Sequence, residues 1–367
     1  MKFKLKPLAD QVIVITGASS GIGLAAARAA AHKGAKVLLV ARSGDEMREV
    51  VEEITRNGGT ADCFAADVGD AAAVEAAAAH AVQRFGRIDT WVNNASVAIY
   101  AKLLETPLDE HQQLFRTNYF GTVNGCAAAV PRLKEAGGAL ITVASIASDI
   151  PSPIMGVYSA SKFAIKAYME ILRIELGKAG LPISVSIIKP SGIDTPIGQH
   201  AAVHGTQGEA QIPPIIYAPE LVADAILHCA THPKREITVG GFGKLATLFG
   251  QHFKPLYEAP APSDPTRLTD KRKRQPTPSN LFAGVRAGQE RSGEHIAKPF
   301  SLYTAAAKHP AATLMGVGAV IAGASLLLFR GGEAGRTVPE AAPLPPMDPE
   351  NDAIVEVLVV EELVELS

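Results

Sequence analysis

Tyr158 and Lys162 stand four residues apart in Tyr158-Ser159-Ala160-Ser161-Lys162, and Ser145 lies thirteen residues upstream. On a helix a spacing of four puts both side chains on one face, so a lysine charge there favours the phenolate over the phenol. A free tyrosine, with a pKa of ~10, is a poor proton donor or acceptor near neutrality, and a neighbouring cation is the physical remedy. The pair reads as an acid/base device. A second chemical signal is Thr16-Gly17-Ala18-Ser19-Ser20-Gly21-Ile22-Gly23. Without side chains at Gly17, Gly21 and Gly23, backbone N–H groups can approach a pyrophosphate at the positive end of the next helix. Each signal has a plainer alternative: a pair on a solvated helix face, and a tight turn with no ligand.

The elements that must carry these groups come in a regular order. Apolar, largely β-branched runs at Val12–Ile15, Lys36–Val40, Asp62–Ala65, Ile88–Val92, Ala139–Val143, Ile183–Ile188 and Glu236–Val239 read as seven strands. Helices are expected at Gly21–Lys33, Asp45–Asn57, Ala71–Phe85, Leu108–Glu135, Tyr158–Gly177 and Pro219–Thr231. Alternation of this kind specifies an α/β fold, a doubly wound (Rossmann) seven-stranded parallel sheet with helices on both faces. Its ligand crevice lies at the carboxyl ends of the strands, where Asp67, Asn93-Asn94-Ala95-Ser96, Ser145 and Pro190-Ser191-Gly192 fall.

Composition narrows the function classes. The chain has 367 residues, 47% of them apolar, and a net charge of −2, which does not suit a nucleic-acid binder with its basic excess. Cys63, Cys126 and Cys229 are scattered and odd in number, consistent with a reducing compartment and without the spacing of a disulfide framework or a cysteine zinc site. The histidines are dispersed as well, so no metal is expected. Met1 to Lys6 carries basic residues but no apolar run, and no cleavable secretory signal is expected.

Taken together, Thr16 to Gly23, Asn93-Asn94-Ala95, Asn118, Ser145 and Tyr-x-x-x-Lys at Tyr158–Lys162 resemble the short-chain dehydrogenase/reductase family over roughly residues 8 to 243. The resemblance implies that Tyr158 is the general acid/base, that Lys162 lowers its pKa and binds the nicotinamide ribose, that Ser145 holds the substrate oxygen, and that Asn118 serves a proton relay. It further implies cofactor contacts at Thr16, Gly17, Ser19, Ser20, Gly21, Ile22, Gly23, Arg42, Asp67, Val68, Asn94, Ala95, Tyr158, Lys162, Pro190 and Thr195. Two departures stand out: Ser96 comes after Asn-Asn-Ala where the family usually has glycine, and the glycine after Pro190 comes one place late, at Gly192.

At the end of the second strand, Arg42 without an acid beside it favours NADP(H) over NAD(H), because a guanidinium pairs with a 2′-phosphate that an acid would repel. The alternative is an arginine on a solvated loop. The resemblance implies that Asp67, followed by Val68, is an adenine-side contact, with a helix N-cap for Ala71–Phe85 as the other reading. A lid from Ile193 to Tyr217 could close over a mostly apolar ligand. Phe163, Ile165, Ala167, Tyr168, Ile171, Leu172 and Leu176 form a broad face, for which the resemblance implies packing against a second subunit, giving a homo-oligomer, and the alternative is packing on the sheet.

The expected organisation is a catalytic domain at 1–243, a Pro- and charge-rich linker at 244–304, a membrane-span candidate at 305–330 and an acidic, disordered tail at 331–367. Lys271-Arg272-Lys273-Arg274 reads as a solvated charge run, or as a localisation or anionic-lipid signal. Ala311–Phe329 contains no charge and would span about 28 Å as a helix, near the ~30 Å of bilayer hydrocarbon; a buried or interfacial helix is the alternative. Basic residues before it place the catalytic domain on the cytoplasmic side. The expectation is a membrane-anchored NADP(H)-dependent oxidoreductase acting on CH–OH donors, or in reverse on carbonyls, with a small lipophilic substrate. The alternatives are a non-catalytic NADP(H)-binding sensor or scaffold and, third, an epimerase or dehydratase on nucleotide sugars.

Overall fold

The computed structural model describes residues 4–309 and 313, apart from 207, 213–214, 262–267, 275–278 and 286–287. The chain divides into two units, Met1–Ala312 and Thr313–Ser367, and the first contains all the elements named here.

In chain order, β1 (Val12–Thr16), α1 (Gly21–His32), β2 (Lys36–Ala41), α2 (Gly44–Arg56), β3 (Thr60–Ala65), α3 (Ala71–Phe85) and β4 (Thr90–Asn93) form the first half of the fold. A two-residue strand, β5 (Ile99–Tyr100), precedes α4 (Leu108–Phe115) and α5 (Gly121–Leu133). Then come β6 (Gly138–Val143), α6 (Gly156–Lys178), β7 (Ile183–Pro190), β8 (Ala202–Val203), β9 (Gly208–Ala210), α7 (Pro219–Thr231) and β10 (Glu236–Val239). The chain continues through α8 (Gly241–His252), α9 (Lys254–Glu258), β11 (Thr269–Arg274) and α10 (Leu302–Lys308). Seven strands form one parallel sheet in the order β10-β7-β6-β4-β1-β2-β3. The order reverses beside β1, so its glycine turn sits at the switch point where such sheets bind ligands.

All five residues of β1 and all eight of β7 are buried, as expected for strands covered on both faces. One core packs Ile13, Ile15, Leu39, Ile141 and Ile237 against alanines of α1 and apolar residues of α7. The opposite core joins Val14, Leu38, Trp91 and Leu140 to α3, α5 and α6. Small side chains on α1 let it approach the sheet closely, and that approach aims its first turn at the cleft.

Local signals explain several boundaries. Asp70 caps α3 by accepting from Ala72 N at 2.9 Å and Ala73 N at 3.2 Å, and Gly86, at φ +86°, stops it in the left-handed region. The N-cap considered for Asp67 therefore belongs to Asp70. The helix expected over Leu108–Glu135 is divided by a π turn at Arg116–Phe120, the segment that carries Asn118. Such a turn adds a residue to the helical repeat and re-aims the helix beyond it.

The largest difference from expectation lies beyond Gly243. Residues 244–304 do not form a bare linker: α8 continues from the sheet, β11 pairs antiparallel with β9, and Thr304 Oγ1 on α10 accepts from Gly240 N at 3.0 Å. The basic run at 271–274 belongs to that two-stranded ribbon, where Arg272 reaches Asp270 at 3.1 Å and Lys273 pairs with Glu294. Polar composition had concealed an element held by pairing and by a few apolar contacts, Leu268 packing on the cluster that contains Ala210 and Leu281. Among the described residues no helix is long and apolar enough to cross a membrane. Apart from Thr313, the span candidate 311–329 and the tail 331–367 lie outside the described residues.

Candidate active site

Carboxyl ends of six strands surround a cleft of about 430 Å³. At one end stand Ser145 after β6 and Tyr158 and Lys162 on α6; at the other stand Arg42 after β2 and Asp67 after β3. Gly17, Ser19, Ser20, Gly21 and Ile22 form the floor between them, with Val68, Asn94, Ala95, Pro190 and Thr195 along the walls. The residues singled out from the sequence are thus brought together, except that Thr16, Gly23 and Asn118 stand behind the lining.

Those three shape it. Thr16 Oγ1 donates to Val92 O at 3.2 Å and accepts from Asn94 N and Ala95 N, locking the β1 turn to the end of β4. A Cβ at Gly23 would lie 2.2 Å from Gly17 O, so only glycine permits this approach. Gly17 itself, at φ +66°, would place a Cβ 2.7 Å from Ala95 Cα. Asn118 is fully buried: its Oδ1 accepts from Val97 N at 2.9 Å, while Nδ2 donates to Val97 O at 3.0 Å and Ser161 Oγ at 3.1 Å. Because Ser161 Oγ donates to Tyr158 O at 2.7 Å, the asparagine is linked to the helical turn that carries the tyrosine.

Electrostatics at the reactive end depart from expectation. Burial pushes the Tyr158 phenol up to about 12, with the hydrogen bond from Ser145 as the opposing influence. Burial also brings the Lys162 ammonium down to about 7. Lys162 Nζ donates to Val143 O at 3.0 Å. Desolvation of both groups outweighs the assistance expected from the lysine charge.

At the far end, burial lowers the Arg42 guanidinium from its ordinary value and Asp67 counteracts that. Its Nη2 donates to Asn280 O at 2.5 Å, whereas Nη1 is buried without a partner. Asp67 Oδ1 accepts from Gly69 N at 2.9 Å. The glycine cradle fits the pyrophosphate of a nicotinamide dinucleotide.

Sequence reasoning missed several lining residues. Tyr100 is 1% exposed, and the Tyr158 phenol beside it adds to the upward shift that burial imposes on the Tyr100 hydroxyl. Ser43 was adjacent to Arg42 and could have been read with it. Asn280, Gly284 and Val285 also line the cleft, from a stretch whose composition carried no such signal. Ser96, where the family usually has glycine, has a buried hydroxyl without a partner. No cluster of metal-ligating side chains occurs among the described residues.

The fold and this cleft define a Rossmann-type oxidoreductase, and the chain belongs to the short chain dehydrogenase family, whose model matches residues 11–204. It is 43% identical over 257 residues to the uncharacterized oxidoreductase YxnA of Bacillus subtilis (strain 168), covering 70% of this chain and 72% of that one. It is 37% identical over 204 residues to D-threitol dehydrogenase of Mycolicibacterium smegmatis, covering 55% and 77%. Among solved structures, it is similar to an alcohol dehydrogenase of Thermococcus sibiricus complexed with 5-hydroxy-NADP, at 28% identity and TM-score 0.56 over 62% of this chain and 95% of that one. A short chain dehydrogenase/reductase from Burkholderia phymatum in complex with NAD, 23% identical, shares the fold at TM-score 0.63 over 70% of this chain and 99% of that one.

Proposed function

We propose that this chain is an NADP(H)-dependent oxidoreductase that interconverts a carbonyl and a secondary alcohol on a lipophilic substrate. The observation that carries the reading is the meeting of Ser145, Tyr158 and Lys162 at one end of a cleft whose other end presents an unpaired Arg42 nitrogen.

A bound nicotinamide cofactor supplies or accepts the hydride. In reduction, Tyr158 delivers its phenolic proton to the carbonyl oxygen as negative charge builds there, and in oxidation it takes that proton back. Ser145, already hydrogen-bonded to Tyr158, orients the same oxygen. Lys162 would hold a ribose hydroxyl of the cofactor, and its charge, when protonated, would favour the phenolate of Tyr158. Asn118 forms the far end of a proton path and fixes the first turn of α6 through Ser161. Arg42 would take the 2′-phosphate, which would favour NADP(H).

Val97, Ile146, Ile150, Met155, Ile197 and Phe242 give the reactive end a mainly apolar wall, which supports the lipophilic substrate. NADPH consumption against aldehydes, ketones, quinones, sterols and long-chain acyl carbonyls, with Tyr158→Phe as the blank, tests the reading. Tyr158-dependent turnover of an apolar carbonyl is expected; tight NADPH binding with no turnover across the panel would overturn it.

The uncharged stretch 311–329 supports a further part of the proposal, a tether that holds the catalytic unit on the cytoplasmic side of a membrane. Fractionation of the full chain against one ending at His309 is its test. Recovery of the full chain in the soluble fraction sinks the tether.

A further inference from the structure

We propose that Asn280, Gly284 and Val285, with Gly288 and Gln289 beside them, all outside the matched family region, form a wall of the cofactor cleft, and that Asn280 takes a donor group of the bound adenosine. The inference rests on the nicotinamide-oxidoreductase reading above.

Three contacts tie this segment to the cradle itself. Gly288 N donates to Ser19 O at 2.9 Å, Gly21 N donates to Gln289 O at 2.9 Å, and Ser43 Oγ donates to Val285 O at 3.2 Å. Ser19 and Ser43 belong to the loops after β1 and β2, and Gly21 opens α1. Neighbouring residues anchor the strap: Leu281 is fully buried with Tyr100 and Tyr158 in one apolar cluster, Asn280 N donates to His200 O at 2.9 Å, and Glu290 pairs with Arg28 at 2.7 Å. Gly284 passes so close that a Cβ there would lie 3.0 Å from Ser43 Oγ.

The polar atoms left over point to the ligand. Arg42 gives Nη2 to the Asn280 carbonyl, yet its Nη1 is buried without a partner, and so is Asn280 Oδ1. Buried polar atoms of this kind cost free energy unless something pairs with them. Here one orphan is a cationic donor and the other a neutral acceptor, both at the end of the cleft away from Tyr158. The adenosine half of a phosphorylated dinucleotide offers the complement of each: anionic phosphate oxygens for Arg42, and hydroxyl or amino hydrogens for Asn280 Oδ1. A carboxylate at position 280 would instead face the same phosphate and repel it.

The test is fluorescence titration of NADPH and NADH on the full chain and on three variants. Asn280→Ala is expected to weaken both nucleotides roughly tenfold, the size of one buried hydrogen bond. Asn280→Asp is expected to weaken NADPH further while sparing NADH, because the added charge meets only the 2′-phosphate. Arg42→Ala reports on the underlying reading through the split between nucleotides: loss on NADPH alone marks the 2′-phosphate, whereas equal loss on both marks the Arg42–Asn280 contact, because Arg42 Nη2 also donates to Asn280 O. Wild-type affinities in both Asn280 variants, with Arg42→Ala still impaired, would overturn the strap's role and leave the function intact. Absence of nucleotide binding by the unmutated chain would overturn both. Hydrogen exchange on the unmutated protein covers the case of variants that misfold: NADPH should slow exchange across 280–290, and unchanged exchange there would also sink the inference.

Discussion

Lys162 Nζ lies 5.4 Å from the centroid of the Tyr158 ring while donating to the Val143 carbonyl at 3.0 Å. Both groups are removed from water by the same walls, so each is biased toward its neutral form, the tyrosine upward and the lysine downward. A cleft that keeps this pair neutral gives up stability for a site in which a small change of environment moves a proton.

That bias fixes a pH dependence. The Lys162 ammonium titrates near 7 in the folded chain against an ordinary 10.5, so as pH falls through that interval the unfolded chain takes up a proton that the native state refuses. This group's contribution therefore declines from pH 10.5 to about 7 and is constant below. Tyr158 acts on the other side: from pH 10 to about 12 the unfolded phenol ionises first and stability falls as pH rises. Urea midpoints measured across these intervals should show both slopes, and Lys162→Met should flatten the lower one. A Lys162→Met profile parallel to wild type would remove the lysine from this account.

Tyr158→Phe should lower turnover by ~10²–10⁴-fold, the usual worth of a positioned general acid, while NADPH affinity stays within about twofold. Steady-state rates and a binding titration check it together. Comparable activity in the mutant would take the phenol out of the chemistry.

Arg42→Ala should weaken NADPH by roughly 10–100-fold, as expected for loss of a charge-assisted hydrogen bond, with little effect on NADH. Equal losses for the two nucleotides would mean that Arg42 supports the loop and the Asn280 carbonyl rather than a phosphate.

Gly23→Ala should destabilise the fold by about 1–3 kcal/mol, because the added methyl must displace the Gly17 carbonyl. Thermal unfolding reads the loss. The same substitution at Gly177, where a Cβ meets nothing within 4 Å, should leave the midpoint unchanged or raise it.

Much of this molecule was legible because its central strands are buried on both faces and must be written in continuous apolar runs. Val12 to Ile15 could hardly be anything else, and the glycines after it announce a close backbone approach. Tyr158, Lys162 and Ser145 were legible through spacing and order. The π turn at Arg116–Phe120 was not, since the side chain of Asn118 is fixed by Val97 and Ser161, partners supplied by tertiary folding. The strap escaped for a different reason: it is held by backbone groups of Gly288, Gln289 and Val285, and backbone hydrogen bonds leave no trace in composition. Neutralisation of Lys162 depends on how completely the cleft excludes water, which no local pattern encodes.

The bonds between Gly288 and Ser19 and between Gly21 and Gln289 join the first loop of the sheet to a stretch of chain made long after it. During synthesis the earlier part of the nucleotide cradle can therefore assemble before its last wall exists. Closing so long a loop adds little to the entropic cost, since that cost grows only with the logarithm of length, but it comes late. The two bonds that fasten the first loop of the sheet can form only once Gly288 and Gln289 have been made, so the cradle is completed by one of the later stretches of the chain.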